Sequence, residues 1–407
     1  MRKMGPTKAA RRPLIEAETL AKQAQLHATY PAFSPAQFFR WPMSLKISPV
    51  PLPTSLEKQK LWRDFVAASP CGDVLQCLEW GPVKAPREQP LAVSIPSGDG
   101  FEATALILKR SLPPRRATMG RSLFYIPRGP ILDWARPDLF EQMVEELKAE
   151  ARKHRAVSIK IDPCVRDDSP GFQERLARVG FVPSPDVHPL FGGTQPRCNM
   201  KMDISAPLDK VLSDTISAKW RYNIRLAEKK NIRVEENLGK AGLQIFHDIY
   251  KVTSERNEFK GYSLTYFEKM WDSLAPSNLI KLFVSFNGEK PLSAAICFLL
   301  PPQCWYMFGA SSNEDRNLMP NHAMQWRMIS WAKENGCTVY DFRGVPDPEL
   351  GEIPAHEEGL VRFKSGFGAQ MVRYAGEFDL PLSKSWYWLW TKARPKLSQT
   401  LKKSAHR

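Results

Sequence analysis

Two stretches of this chain run through the same succession of elements: strands, a long helix, a strand, a short helix and a Gly-Phe pair. The first arrives there at Phe172-Gln173-Glu174-Arg175-Leu176-Ala177-Arg178-Val179-Gly180-Phe181, the second at Val361-Arg362-Phe363-Lys364-Ser365-Gly366-Phe367. A repeated order points to a duplicated α/β domain. The 407 residues suffice for two domains of ordinary size.

The periodicities predict the elements in detail. Residues 1–54 are basic and proline-punctuated and read as a flexible N-terminal extension; the pattern sharpens only after Met43. A helix is expected over Leu56–Ala68, with Leu61, Phe65 and Val66 on one face. Strands follow at Phe101–Leu108 and Ser122–Ile126, then the turn Pro127-Arg128-Gly129-Pro130, a helix over Pro137–Lys153, a buried strand at Val157–Ile161 and a short helix at Gly171–Val179. The second half should contain helices at Ile216–Lys230, Leu243–Ser254, Leu264–Leu274 and Asn321–Glu334. Its strands should lie at Ile232–Glu235, Ile280–Phe286, Ala294–Leu300, Cys304–Phe308 and Thr338–Phe342, with a hairpin turn at Asn287-Gly288. The reading therefore places a first domain over 55–200, a second over 201–369, and a C-terminal segment 370–407 packing back on the first.

Composition narrows the partners. The formal net charge is +15, which favours nucleic acid, phosphorylated substrates or an anionic membrane face without choosing among them. Seven cysteines are scattered without Cys-x-x-Cys spacing, and no His-Glu-x-x-His occurs, so a reducing compartment and no metal are expected. The basic N-terminus lacks the apolar core of a signal peptide, and no stretch approaches the ~20 apolar residues that span a bilayer. A cytoplasmic protein follows from these signs.

The element order is similar to the acyl-CoA N-acyltransferase fold, so the fold class expected is α+β with mixed sheets in two tandem acyltransferase-like domains. In that fold a glycine-rich loop opens the long helix and lets backbone N–H groups approach the coenzyme pyrophosphate. Here the corresponding segments, Ile131–Pro137 and Glu314–Asn321, contain no glycine. An acyl donor other than coenzyme A, and no cofactor, is the expectation.

Six segments are more specific. Gln76-Cys77-Leu78-Glu79-Trp80-Gly81 to Lys84 resembles a Gln-Ser-x-x-Trp-Gly-x-x-Lys pattern, with Cys77 in place of serine. Tyr125-Ile126-Pro127-Arg128-Gly129-Pro130-Ile131-Leu132-Asp133, Arg221-Tyr222-Asn223-Ile224-Arg225, Thr253-Ser254-Glu255-Arg256-Asn257-Glu258-Phe259, Tyr340-Asp341-Phe342-Arg343-Gly344 and Gly359–Gly368 follow in order. Together, from Leu61 to Leu382, they resemble the Fem family of peptidoglycan bridge-forming aminoacyltransferases. The resemblance implies transfer of an amino acid from aminoacyl-tRNA to an amine on the stem peptide of a muropeptide precursor, UDP-linked or lipid-linked. Some members carry a helical-hairpin arm; no long heptad segment is present here, so none is expected.

Aminolysis of an ester needs alignment, oxyanion stabilisation and deprotonation of an ammonium. The resemblance points to Lys364 for the oxyanion or the tRNA 3′ end, against a solvated surface lysine, and to Phe363 as a positioning wall or core residue. Asp133 reads as a carboxylate for the acceptor amine or as a helix cap. Arg128 reads as a phosphate or carboxylate contact or as a pin for its turn. Lys84 and Arg221 are candidates for the precursor pyrophosphate; Arg225 and Lys229 extend Arg221 into a basic stripe, or into an ordinary solvated face. Tyr262 and Tyr266 are candidates for the muramyl sugar or stem peptide, or a half-buried pair. The tail Trp386-Tyr387-Trp388-Leu389-Trp390 with its basic neighbours suits either peripheral contact with the inner membrane face or packing on the first domain. A monomer is expected, since two fused domains already make a cleft. A Fem-like ligase acting on a small peptide or another amine, a non-catalytic RNA-binding protein and a coenzyme A-dependent acetyltransferase are the competing readings.

Overall fold

A computed structural model describes residues 55–113, 117–185, 188, 190–236 and 238–393. The N-terminal extension and the last basic residues of the tail lie outside these. Helix α1 (Leu56–Ala68) occupies the expected range, but it buries Trp62 and Val66, one turn apart, and leaves Leu61 largely exposed. The Trp62 indole donates to the Gln76 carbonyl at 2.8 Å, which explains its inward turn. A short helix α2 (Trp80–Lys84) follows.

The first sheet is built from β1 (Gln89–Ser97), β2 (Gly100–Ser111), β3 (Ser122–Ile126), β4 (Ile131–Leu132), β5 (Ala156–Ile161) and β6 (Val182–Pro183), with helices α3 (Pro137–Lys153) and α4 (Phe172–Arg178) between. Strand β7 (Cys198–Asp203) crosses the boundary expected at 200 and belongs wholly to the second sheet. The second half continues through α5 (Ala218–Lys229), β8 (Arg233–Glu236), α6 (Gly239–Arg256), α7 (Leu264–Leu274), β9 (Ile280–Asn287), β10 (Lys290–Leu300) and β11 (Gln303–Ser311). It closes with α8 (Pro320–Glu334), β12 (Val339–Val345), α9 (Ala355–Gly366) and β13 (Gln370–Arg373). The last strand, β14 (Phe378–Pro381), returns to the first sheet, and α10 (Lys384–Trp388) follows it.

The sheets run β1-β2-β3-β5-β14-β6, with β4 on β2, and β13-β7-β12-β11-β10-β9-β8. The C-terminal segment is thus shared: β13 edges the second sheet against β7, whereas β14 pairs with β5 and β6 in the first. Part of the 370–407 segment therefore stays with the second half, because β7 offers it a free edge.

Alternation along two strands ties the halves together. In β10, Ala294, Ile296, Phe298 and Leu300 enter a core with Trp62, Trp80 and Leu106 of the first half, while Ala295, Cys297 and Leu299 meet Met324 and Met328 of α8. In β2, Leu106 and Leu108 face that shared core, and Ala103, Ala105 and Ile107 face α3. Each buried large side chain contributes about 1.5–3 kcal/mol.

The two parallel strand pairs differ. In the first sheet β3 stays paired with β5 from Ser122 to Ile126. In the second, β11 and β12 pair only from Gln303↔Val339 to Trp305↔Asp341. Beyond that β11 continues along β10 to Ser311, and β12 along β7 to Val345. The sheet opens there.

Candidate active site

A cavity of about 380 Å³ lies between the end of β11 and the start of α8. Its walls are Ser311 and Ser312 at the end of β11, Pro320 and His322 at the start of α8, Arg316 and Phe363. The loop entering α8 takes left-handed backbone at Asp315 (φ 51°) and Met319 (φ 59°). Side chains stand at positions that glycine adopts more readily, in the segment where the sequence lacks the glycines of a coenzyme A cradle. His322 sits against Trp220 and Phe363, edge-on at 5.3 and 5.4 Å, and its Nε2 lies 3.1 Å from the Asn223 side-chain nitrogen. Burial lowers the His322 pKa to about 4, so the ring is neutral.

Phe363 and Lys364 leave α9 in different directions. The Trp220 indole donates to the Phe363 carbonyl at 3.0 Å, and Trp220 lies so close to Gly366 that a Cβ there would stand 2.3 Å from its ring. Gly366 is what lets α9 approach α5. Lys364, 3% exposed, turns to the end of β12, where Nζ donates to the carbonyls of Gly344 at 2.7 Å and Arg343 at 3.3 Å. Burial lowers its pKa from 10.5 to about 7, partly opposed by Asp341 and Glu357. The solvated surface lysine is not what the fold makes of this residue.

The carbonyls that receive Lys364 are held from the first half. The Arg343 guanidinium meets the Asp73 carboxylate through two bonds, 2.9 and 3.2 Å, and lies over Trp305. The Asp341 carboxylate accepts from the Arg343 backbone N–H at 2.6 Å and from the Asn199 amide. Lys201 stands 3.9 Å from Asp341 and 5.7 Å from the Tyr374 ring. Asp73, Arg343, Asp341 and Lys364 are all buried, so a continuous polar path runs from Asp73 in the first half to Lys364.

Lys84, Tyr262 and Tyr266 meet, although Lys84 comes from the first half and the tyrosines from the second. Lys84 Nζ lies 5.2 Å from the Trp80 ring and 5.6 Å from Tyr266, and Tyr266 stacks on Tyr262 at 4.4 Å. Burial lowers the Lys84 pKa, with Glu88 opposing. Tyr266 is half-buried, whereas Tyr262 is exposed.

The other candidates stand apart. Arg128 is buried: its backbone N–H donates to Asp162 at 2.6 Å, its guanidinium donates to the Pro196 carbonyl at 2.7 Å, and the same group covers Tyr374. These contacts support the pin rather than a substrate contact. The buried Gln76 amide completes that turn, donating to Pro127 and Leu106 carbonyls and accepting from Leu106 N–H, and a Cβ on Gly129 would stand 2.5 Å from it. Asp133 does not cap α3, whose N-cap position is Arg136; its carboxylate accepts from Ala135 N–H and is exposed. Burial raises the Cys71 thiol to about 11, with Lys201 opposing and Asp133 adding to the rise. Arg221 folds back onto the carbonyls of Ser213 and Ile216, while Arg225 is exposed with no side-chain partner among the described residues. The basic stripe is therefore divided. Asp73 and His322 escaped the sequence reading, since they acquire their places through partners 270 and 41 residues away in the chain.

A model of the FemAB family matches residues 58–170, 188–286 and 278–394. The chain is similar to a lipid II:glycine glycyltransferase of Staphylococcus saprophyticus, at 27% identity over 83% of this chain and 97% of that one. A lipid II:glycine glycyltransferase of Staphylococcus epidermidis is 26% identical, over 82% and 94%. A crystal structure of FemX superposes with a TM-score of 0.73 at 24% identity, covering 81% of this chain and 98% of that one. This last likeness shows the fold, the α+β class with two tandem acyltransferase-like units that the element order implied. On the extent of the family match, the chain belongs to the FemAB family.

Proposed function

We propose that this chain forms peptidoglycan cross-bridges by moving an aminoacyl group from aminoacyl-tRNA to an amine on the stem peptide of a lipid-linked precursor. The observation that carries the reading is the cavity at the start of α8, lined by no glycine and walled by Phe363, with the buried Lys364 next to Phe363 in α9. The FemAB family and the names of the relatives, lipid II:glycine glycyltransferases, support an aminoacyl transferase acting on such a precursor. The reaction belongs in the cytoplasm, where charged tRNA is available, at the face of the membrane that presents the lipid-linked acceptor. Among the described residues no helix is long and apolar enough to cross a membrane.

In this reading the ester-bearing end of the donor occupies the cavity, with Phe363 as its wall. The acceptor amine gives up a proton, and its nitrogen bonds to the ester carbonyl carbon. The carbon–oxygen bond to the ribose breaks, and the departing hydroxyl takes up a proton. Lys364 stabilises the negative charge on the former carbonyl oxygen. Asp133, exposed just after β4, holds the acceptor ammonium and assists its deprotonation. Lys84 with Tyr262 and Tyr266 holds the sugar or pyrophosphate side of the acceptor. Arg128 holds its turn, and Arg225 remains free for phosphate.

The test is transfer of a radiolabelled amino acid from a pool of charged tRNAs, glycyl-tRNA included, to lipid-linked or UDP-linked muropeptide. Label in the lipid-linked product, absent with Lys364→Met, is the expected result. Label leaving tRNA for a different amine would move the acceptor, and no transfer from any tRNA would overturn the reading.

A further inference from the structure

The C-terminal helix presents a face that no role in transfer uses. Helix α10 (Lys384–Trp388) continues as a wider turn through Leu389–Ala393. Its inner side is fastened to the first sheet: the Leu382 and Ser383 N–H groups donate to the Val157 carbonyl, and the Tyr387 hydroxyl donates to Asp379 at 2.9 Å. Thr391, one turn on, donates its hydroxyl to the Tyr387 carbonyl at 2.7 Å. Helical spacing sends the intervening residues the other way. Trp388 is 62% exposed and Leu389 44%, with Lys384 exposed one turn before Trp388. Trp386 lies 4.8 Å beneath the Arg121 guanidinium, which brings the segment before β3, with its exposed Met119, to the same end of the molecule.

Charge selects among occupants of this face. Residues 381–407 contain seven lysines and arginines and no acidic residue, nearly half of the chain's net charge of +15. The segment 111–122 adds Arg115, Arg116 and Arg121, also without an acid. A basic run alone would suit RNA as well as lipid. An indole and an isobutyl group held out into water at the same end as Lys384 and Arg121 suit a lipid headgroup region, where amphipathic rings and apolar side chains are buried while cations meet anionic headgroups. A second copy of this chain would bring like charges together.

We infer that α10 and the adjoining Arg121 segment form a docking surface for an anionic membrane, with Trp388 and Leu389 inserted at the headgroup level. The contact is peripheral and reversible, and it places the chain beside a lipid-linked acceptor. It stands on exposure and charge, independently of what the cavity binds.

The full chain is mixed with vesicles of phosphatidylcholine alone or of phosphatidylcholine with phosphatidylglycerol, and binding is read by co-sedimentation and by tryptophan emission. Binding to the anionic vesicles, weakened by salt and reduced at least tenfold in Trp388→Ser with Leu389→Ser, is expected. The thermal midpoint and transfer to a water-soluble acceptor should be unchanged in that variant, because both residues are exposed. Absence of binding to either vesicle, or binding unaltered by the double substitution, overturns the inference. So does binding of uncharged tRNA that is lost in the double variant while vesicles are ignored; that result would assign the face to RNA.

Discussion

The Nζ of Lys364 lies 2.7 Å from the carbonyl oxygen of Gly344, at the end of a strand whose neighbouring arginine is bound to the first half of the molecule. The ammonium is thus positioned by backbone oxygens, and those oxygens are positioned by the Asp73–Arg343 pair. A lysine held this way has few rotamers to lose when it meets developing negative charge.

Replacing Lys364 with Met keeps the volume and the apolar stem but removes the charge. Single-turnover transfer should fall by about 10²–10³, the magnitude of losing one preorganised oxyanion donor. Donor and acceptor affinities measured separately should move much less. Equal losses in binding and rate would assign Lys364 to ground-state binding.

The pKa of about 7 makes Lys364 sensitive to pH. An anionic donor end favours the ammonium, so donor binding takes up a proton once the pH exceeds that value. Affinity for aminoacyl-tRNA should weaken with rising pH, by up to about tenfold per unit, and Lys364→Met should flatten the profile. Its effect on folding has the opposite slope. Between about 7 and 10.5 the unfolded lysine binds more proton than the folded one, so the Lys364 contribution to stability rises with pH across that window. Denaturant titrations of wild type against Lys364→Met, at several pH values, read that difference directly.

Asp73→Ala leaves the buried Arg343 guanidinium without its carboxylate. Stability should fall by about 3–5 kcal/mol, as for one partner lost from a buried ion pair. Adding Arg343→Met should recover part of that loss, because an apolar side chain no longer needs the counter-charge. A denaturant-based double-mutant cycle checks both statements.

Tyr266→Ala removes the ring over which Lys84 lies and the platform for Tyr262. KM for the acceptor should rise by roughly 3- to 30-fold, the equivalent of about 0.5–2 kcal/mol for a cation–aromatic contact, with donor affinity retained. Tyr266→Phe keeps the ring and should behave close to wild type.

Ser312→Trp places an indole in the cavity wall. Affinity for the charged tRNA should drop about tenfold or more while acceptor binding is preserved, because overfilling a preformed space displaces what occupies it. Equilibrium binding with each substrate alone distinguishes the two.

Elements with a strong local period were legible in the sequence. Helix α7 was expected over Leu264–Leu274, α3 over Pro137–Lys153 and β3 over Ser122–Ile126, and each is found there. Their amphipathic or alternating patterns are complete within one segment. The Phe363–Lys364 motif was legible through the family resemblance, and the aromatic pair Tyr262–Tyr266 through residue types close together in the chain.

What the chain could not disclose locally was every feature created by distant partners. Strands β4, β6, β13 and β14 are two to four residues long and exist only because another strand presents a free edge. Burial of Lys364, the pin made by Arg128 and the meeting of Lys84 with Tyr266 all depend on residues more than 19 positions away. The sequence by itself determined the duplicated α+β architecture, the motifs and the absence of glycine before α8. The tertiary structure decided which cations are buried against carbonyls and which stay exposed, because desolvation and hydrogen-bond geometry arise only once the two sheets are packed together.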